Sequence, residues 1–291
     1  MELNNVRVTT PPRDAATVVL LRDGAGGLEV FMVKRHGASD VLGGAYVFPG
    51  GKVDEADHDD ESIDSLGVPP DALHAMLAEP AIDARKAAAM FVAAARETFE
   101  ECGVLLSPGA DADRQKAAHA LHREGHDFAS VLAQLGIGLD TSRLRPWSRW
   151  ITPVVPSLQQ KRFDTRFFVG AVPPEQAALH DNREASDSAW LRPREALDRF
   201  WAREIELAPP QIMTLAHLTR HPSVAQALAE AGRRPPPTIQ PEPFDQDGTR
   251  VVAYPGDPAH PLRERAMPGP TRLRFVKGRF EPFDGYEAFF A

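Results

Sequence analysis

The sequence predicts a mixed α/β fold with helical insertions and a helical C-terminal part. Three observations lead to this prediction. Short β-branched apolar runs near the N-terminus alternate with glycine-rich turns, as strands do. One long segment after residue 83 carries apolar residues at helical spacing. Further strand-like runs follow in the middle of the chain, and a second helical region comes after them.

Length and composition limit the class of protein. The 291 residues allow one large domain or two small ones, and 43% hydrophobic with 25% charged residues is typical of a globular chain. A net charge of −8 disfavours nucleic-acid partners. No apolar run is long enough to span a bilayer, and no signal peptide is recognisable. The lone Cys102 excludes an intramolecular disulfide. Together these features lead us to expect a cytoplasmic protein with no membrane partner.

The first strands lie on either side of a tight turn. Residues 16–21 and 28–33 are apolar, and the glycine-rich segment 23–27 between them predicts a β-hairpin. Residues 45–48 predict another strand, which ends at Pro49-Gly50-Gly51. The glycines of this loop could bring backbone close to a phosphate or a metal ion.

The strongest helical pattern follows residue 83. Phe91, Ala95, Thr98 and Cys102 form one apolar stripe, which would pack the helix onto a sheet, and Gly103 is suited to end it. We expect a strand at 104–106 and two short helices within 113–135. Strands are then predicted at 150–155, 166–172 and 189–191, helices at 194–200 and 211–231, and irregular structure over about the last fifty residues.

Three carboxylates project from one face of the long helix. Glu97, Glu100 and Glu101 stand at i, i+3 and i+4, where like charges repel one another. A hard divalent cation with oxygen ligands, Mg²⁺ or Mn²⁺, would relieve that repulsion. The alternative is a solvated acidic surface, the commoner meaning of such a face.

The segment from Arg96 to Val104 resembles the Nudix box of the Nudix hydrolase superfamily, G-x5-E-x7-R-E-U-x-E-E-x-G-U with U bulky and apolar. Gly51 matches the first glycine, and Thr98 replaces an apolar residue. Asp57 stands at the first glutamate and is one methylene shorter. Counted from Gly51, the pattern would place its arginine at residue 65. The arginine is at residue 96, so 31 residues interrupt the box.

The same interruption resembles one branch of the superfamily, the acyl-coenzyme A diphosphatases. Further similar segments are Ala45 to Gly51, Arg162 to Phe168, Leu207 to Gln211 and Tyr254 to Asp257. The resemblance implies a Nudix α/β/α sandwich with a mixed sheet, over residues 14–206, with a helical insertion at about 59–82. Residues 207–291 would form a helical and irregular extension packed on it.

The resemblance also implies roles for single residues. Glu100 and Glu101 would be the main metal ligands, and Glu97 a further ligand or the base that orients water. Arg96 would hold a carboxylate in place, the alternative being a surface arginine paired with Glu100. Glu184 would be a general base or auxiliary ligand, or else an ordinary loop acid. The expected substrate-binding residues are Gly50, Gly51, Arg35 and Arg162, although both arginines could serve only solubility at strand ends.

The implied reaction is metal-dependent hydrolysis of a diphosphate in a small nucleotide. The leading substrate is coenzyme A or acyl-CoA, giving 3′,5′-ADP and (acyl-)phosphopantetheine. ADP-ribose and NADH are alternatives, and so is a non-catalytic module that binds a nucleotide or a partner. A homodimer is a family-level expectation.

Overall fold

The computed structural model describes residues 3–37, 42–158, 161–180 and 185–291. In these ranges the chain forms an eight-stranded mixed sheet, eight α-helices and a separate four-stranded antiparallel sheet. The mixed α/β fold class is therefore confirmed. None of the helices in these ranges combines the length and the apolar composition that crossing a bilayer requires.

The main sheet has the order β3-β2-β1-β6-β5-β8, with β4 paired to β1 and β7 paired to β2. The β1–β6 and β5–β8 pairs are parallel and the others antiparallel. The predicted N-terminal hairpin is formed by β1 and β2. The strands are β1 Arg13–Gly24, β2 Gly27–Arg35, β3 Tyr46–Val47, β4 Gly50–Lys52, β5 Leu144–Ile151, β6 Phe163–Ala171, β7 Ala185–Leu191 and β8 Thr238–Ile239.

The helices agree with the predicted pattern, with one refinement. The segment 211–231 forms two helices, α7 and α8, because Pro222 lies in the intervening turn and lacks the N–H that a continuous helix needs. The helices are α1 Asp60–Asp64, α2 Pro70–Leu77, α3 Ala84–Cys102, α4 Ala112–Arg123, α5 Phe128–Leu135, α6 Pro193–Trp201, α7 Pro209–Leu218 and α8 Val224–Ala231.

Helix α3 packs on one face of the main sheet. Its predicted apolar stripe is buried, with Phe91, Ala95, Thr98 and Cys102 each at most 1% exposed. Phe91 contacts Phe168 of β6 at 4.9 Å between ring centroids. The Asp83 carboxylate caps the helix by accepting from the Lys86 N–H, and the helix ends at Gly103. Helices α6–α8 cover the opposite face, where Phe167 and Trp147 are buried.

The strand expected at 104–106 is wrong. These residues are fully buried, yet they pair with none of the strands in the described ranges. The side-chain amide of Gln176 replaces a neighbouring strand: it accepts from the Leu105 N–H at 2.8 Å and donates to the Leu105 carbonyl at 2.9 Å. An apolar run alone cannot distinguish these two ways of pairing buried backbone.

The C-terminal extension begins with helices, as predicted, and then forms a sheet that the sequence analysis did not predict. The strands are β9 Glu242–Gln246, β10 Thr249–Ala253, β11 Arg272–Val276 and β12 Arg279–Pro282, in the order β12-β11-β10-β9. The Pro255-Gly256-Asp257 turn joins this sheet to the loop before β11. Asp257 is fully buried and accepts from Thr271 Oγ1 at 2.9 Å and from the Arg272 guanidinium at 2.5 and 2.6 Å.

The insertion within the Nudix box contains α1 and α2 and is held to the main sheet by buried charge. Glu79, just after α2, accepts from Arg166 of β6 through both oxygens, at 2.6 and 3.0 Å. Arg166 also donates to Asp14 of β1 at 2.6 Å. Arg166 is 2% exposed and Glu79 is 7% exposed, so this contact fixes the insertion beneath β1 and β6.

Candidate active site

Two glycines bring the backbone of β4 against α3. A Cβ on Gly50 would lie 2.3 Å from the Ala16 carbonyl oxygen, and one on Gly51 would lie 2.4 Å from Glu97 Oε1. A side chain at Gly50 would collide with the backbone of β1, and one at Gly51 would displace the Glu97 carboxylate. The Gly50 N–H donates to Glu101 Oε2 at 2.9 Å. The glycine loop and the carboxylate face of α3, predicted separately, thus meet in space.

Arg96 organises the carboxylates. Its Nη1 donates to Glu97 Oε1 at 2.8 Å and to Glu100 Oε2 at 3.0 Å, and its Nη2 donates to the Lys52 carbonyl at 2.9 Å. The remaining contact is bidentate to Asp57, at 2.8 Å from Nε and 2.9 Å from Nη2. With only 11% of its side chain exposed, Arg96 is not a surface arginine paired with Glu100 alone.

The charges around Arg96 keep it ionised. Burial by itself would lower the pKa of the guanidinium, but the hydrogen bond to Asp57 and the charges of Glu97, Asp57 and Glu100 raise it above its usual value. The positions of Glu97 and Glu100 therefore depend on a permanent cation.

Asp57 compensates for its shorter side chain through the local backbone. It lies in a 3₁₀ turn, Glu55–His58, and is 1% exposed. Its Oδ2 also accepts from the Asp54 N–H at 2.8 Å. This turn brings the carboxylate up to Arg96, so an aspartate reaches the arginine at the position where the Nudix box has a glutamate.

The three box glutamates face different surroundings. Glu97 and Glu101 line a cavity of about 570 Å³, whereas Glu100 does not line it and its side chain is 30% exposed. Their oxygens do not converge on one point. Among the described residues, the group of three acidic, His or Cys side chains with ligand atoms within 4.8 Å of one another is His217, His221 and Glu230.

That second group consists of close contacts between two histidines of α7 and its C-terminal turn and a carboxylate of α8. His217 Nε2 and His221 Nε2 each lie 2.9 Å from a different oxygen of Glu230. Arg234 Nε donates to the same carboxylate at 2.9 Å. The carboxylate therefore already has three nitrogen partners, one of them a permanent cation.

The cavity combines polar and apolar walls. The floor is one face of the main sheet, formed by alternate residues of β1 and β6, and Trp150 of β5 lies beside them. The C-terminal extension contributes a further part of the lining. The cationic lining residues are Arg13, Arg35, Lys52 and Lys161; the floor residues are Ala15, Thr17, Phe163, Thr165 and Phe167; the extension contributes Pro209, Pro210, Gln211, Pro241, Val252 and Phe280.

The two arginines proposed for substrate binding have different positions. Arg35 lines the cavity. Arg162 is not among the lining residues, and its guanidinium donates to the carbonyls of Thr152 and Thr10 at 3.0 and 3.1 Å. Its neighbour Lys161 does line the cavity. Because alternate residues of β6 face the cavity, strand periodicity could have favoured Lys161 over Arg162.

The acidic loop before β7 is only partly described. Glu184 lies outside the described residues. Asp187 accepts from Tyr46 Oη at 2.6 Å and from the Ser188 N–H at 2.8 Å. The hydrogen bond from Tyr46 lowers the pKa of Asp187, while burial and this same bond raise the pKa of Tyr46 to about 12. Trp190 is partly buried and packs on Phe31, with 5.2 Å between the ring centroids.

Apart from the glycine loop and Arg35, the lining residues outside the box were not predicted from the sequence. Thr17, Trp150 and Phe167 lie on strands, and only their alternation with residues of the opposite face marks them. Val252 and Phe280 lie on strands that were not predicted.

The donor set at the glycine loop suits a hard cation. Carboxylate oxygens from Glu97, Glu100 and Glu101 are the ligands that Mg²⁺ and Mn²⁺ prefer. Around Arg96 lie the five carboxylates of Asp54, Asp57, Glu97, Glu100 and Glu101, against two cations, Arg96 and Lys52. Excess negative charge next to a cavity with basic walls can hold a divalent ion beside an anionic substrate.

Comparisons with known proteins agree with this geometry. The family model described as the NUDT19 Nudix domain matches residues 12–218. The acyl-coenzyme A diphosphatase NUDT19 of Gallus gallus is 30% identical over 264 residues, covering 73% of this chain and 69% of the relative. That of Xenopus laevis is 26% identical over 276 residues, covering 80% of this chain and 71% of the relative.

A solved structure supports the same fold. The crystal structure of a NUDIX hydrolase from Alicyclobacillus acidocaldarius aligns with a TM-score of 0.60 and 30% identity. The alignment covers 76% of this chain and 97% of that one.

Proposed function

Because the chain belongs to the Nudix family whose model is the NUDT19 Nudix domain, we propose that it hydrolyses the diphosphate of coenzyme A or acyl-CoA. It is a Nudix hydrolase, a diphosphatase acting on small nucleotides. The products would be 3′,5′-ADP and (acyl-)phosphopantetheine. One observation carries the proposal: a single cavity contains the glycine loop, two box carboxylates, four cationic side chains and a long apolar wall.

Nudix hydrolases generally use divalent metal ions, and we propose Mg²⁺ or Mn²⁺ held by Glu97, Glu100 and Glu101. When bound, the ion neutralises charge on the diphosphate oxygens. Arg96 orients Glu97 and Glu100, and Asp57 orients Arg96. Water oxygen attacks phosphorus, the bridging P–O bond breaks, and the proton of the water passes to a carboxylate, for which Glu97 or Glu184 is proposed.

The basic wall would bind the anionic parts of the substrate. Arg35 and Lys161 are proposed for the 3′-phosphate of coenzyme A, and Arg13 and Lys52 line the same cavity. Such contacts distribute over several phosphate oxygens and position the diphosphate beside the carboxylates. A cytoplasmic location and a homodimer stay predictions.

The test is a substrate panel with purified protein. Coenzyme A, an acyl-CoA, ADP-ribose and NADH are each incubated with Mg²⁺, with Mn²⁺ and with EDTA, and the products are separated by chromatography. We expect 3′,5′-ADP from the first two substrates, only with a divalent ion. Faster cleavage of ADP-ribose or NADH would overturn the substrate, and no cleavage of any substrate would favour a binding module.

Glu100→Gln tests the ligand set. The substitution keeps the size of the side chain and removes its charge, so we expect kcat to fall about a hundredfold or more, as for loss of a metal ligand. Glu124→Gln, at an exposed helix end, is the matched control and should behave like wild type. Wild-type turnover in Glu100→Gln would reject Glu100 as a ligand.

A further inference from the structure

A continuous line of aromatic rings leads away from the glycine loop. Phe48 immediately precedes the loop, and its ring lies 6.3 Å from that of Phe167. Phe167 lies 6.3 Å from Trp150, and Trp150 lies 5.9 Å from Tyr254 at the end of β10. This line runs from the box carboxylates to the C-terminal sheet.

Strand register explains the line. Gly50 pairs with Thr17, and Thr17 pairs with Phe167. One row away, Thr165 pairs with Trp150. Residues two apart on a strand share a face, so these side chains form one surface that crosses the sheet from β4 to β5.

The C-terminal extension covers this surface. Pro209 and Pro210 at the start of α7, together with Pro241, Val252 and Phe280, line the same cavity. Val252 is 4% exposed and Phe280 is 1% exposed, and both belong to the same hydrophobic cluster as the aromatic line. The cavity therefore has an extended apolar part, which a diphosphate or a sugar does not need.

Two buried polar groups in the same cavity have no hydrogen-bond partner among the described residues. They are Gln211 Oε1 and Ser157 Oγ, whose residues are 6% and 9% exposed. Leaving such groups unpaired is costly, so they point to an occupant that can bond to them. An amide offers both a donor and an acceptor and would suit either orientation of the Gln211 side chain.

We propose that the acyl-pantetheine arm of the substrate occupies this space, and that the C-terminal sheet therefore selects the acyl chain. The inference rests on the proposed function. The arm is apolar along much of its length and contains two amide groups and a thioester, which match the apolar walls and the two unpaired polar groups. Val252 and Phe280 are the specificity-determining residues.

An acyl chain bound in this space should make kcat/KM depend on the length of the chain. Each methylene that moves from water into an apolar site strengthens binding by up to about fourfold. The kcat/KM for acyl-CoA substrates should therefore rise with chain length and level off once the space is full. The chain length at this plateau depends on the residues that close the cavity.

Two variants at one position test the proposal. Val252→Phe narrows the space and should move the plateau to shorter chains, lowering kcat/KM for the longest substrates about tenfold or more relative to the shortest. Val252→Ala widens the space and should move the plateau to longer chains. Val251→Ala is the matched control, since Val251 is buried in the same strand but does not line the cavity.

The outcomes separate this inference from the proposed function. If coenzyme A is cleaved but neither Val252 variant changes the chain-length profile relative to the control, the arm does not lie here. If no coenzyme A substrate is cleaved, the proposed function fails. Calorimetric binding of acyl-CoA then tests the arm site alone: affinity that rises with chain length, and plateaus at a shorter length in Val252→Phe, supports it, and affinity independent of chain length overturns it.

Discussion

At the residue scale, one guanidinium connects most of the charged groups of the site. Arg96 binds Asp57, Glu97, Glu100 and the Lys52 carbonyl at the same time. Five N–H donors in a rigid plane allow this, whereas a lysine ammonium has three donors and no fixed geometry. Asp57 sets the plane of this guanidinium through two parallel hydrogen bonds.

Asp57→Asn tests that positioning role. An amide keeps the volume but loses the charge and one acceptor, so Arg96 would be less firmly held. We expect kcat to fall about 10- to 100-fold and the divalent-ion concentration for half-maximal activity to rise. Both are read from initial rates across a metal titration.

Asp57→Glu should retain most of the activity, because it preserves the charge. Asp60→Asn is the control: Asp60 makes a similar 2.7 Å contact with Arg85, but at the exposed surface. An unchanged metal dependence in Asp57→Asn would show that Asp57 serves folding alone.

At the element scale, β6 shows how one strand serves two purposes. Asp164 and Arg166 face the insertion and join a buried ion network with Glu79, Asp14 and Arg149. Phe163, Thr165 and Phe167 alternate with them and face the cavity. The alternation of charged and aromatic residues in 162–168 is therefore explained by the two faces of the strand.

Glu79→Gln should destabilise the fold. Removing one charge leaves Arg166, which is 2% exposed, without its bidentate partner. We expect a loss of about 3–5 kcal/mol in the free energy of unfolding, measured by denaturant titration. Glu61→Gln, at an exposed position in α1, is the control. Equal stability of the two variants would show that the network contributes little.

Local sequence patterns predicted the elements whose backbone hydrogen bonds and buried face depend on residues close in sequence. The stripe of α3 predicts both its helix and its buried face, and the spacing of its glutamates predicts their shared side. Residues 104–106 were misassigned because their partner is Gln176, a side chain 71 positions away from Leu105. The C-terminal sheet was missed because β9 contains Pro243 and is largely exposed, so its pairing depends on β10 rather than on its own sequence.

At the scale of the whole molecule, α7 and α8 connect the main sheet to the extension that covers the cavity. His217 of α7 packs on Trp147 of β5 at 4.6 Å and binds Glu230 of α8. Arg234 lies over the same tryptophan, 4.7 Å from the ring centroid, and also binds Glu230. The charge on the histidines therefore affects how stably α7 and α8 attach the C-terminal extension to the main sheet.

Stability should fall as the pH falls from about 6.5 to about 4. Burial, opposed by the Glu230 charge, lowers the pKa of His217 to about 4, and burial also lowers the pKa of His221. Between these values the unfolded chain binds a proton at His217 that the folded chain does not, and the lowered pKa of His221 acts in the same direction. The uptake of one such proton lowers the free energy of unfolding by up to about 1.4 kcal/mol per pH unit.

His217→Gln removes one of these protons while keeping a hydrogen-bonding side chain. Its free energy of unfolding should therefore depend less steeply on pH between 6.5 and 4 than that of the wild type, with the difference approaching one proton. His126→Gln is the control, because His126 contacts Gln134 at the surface. Denaturant titrations at several pH values measure the slopes. If the free energy of unfolding depends on pH equally in His217→Gln and in the wild type, His217 takes up its proton equally in the folded and unfolded states. Acid would then destabilise the protein through other groups.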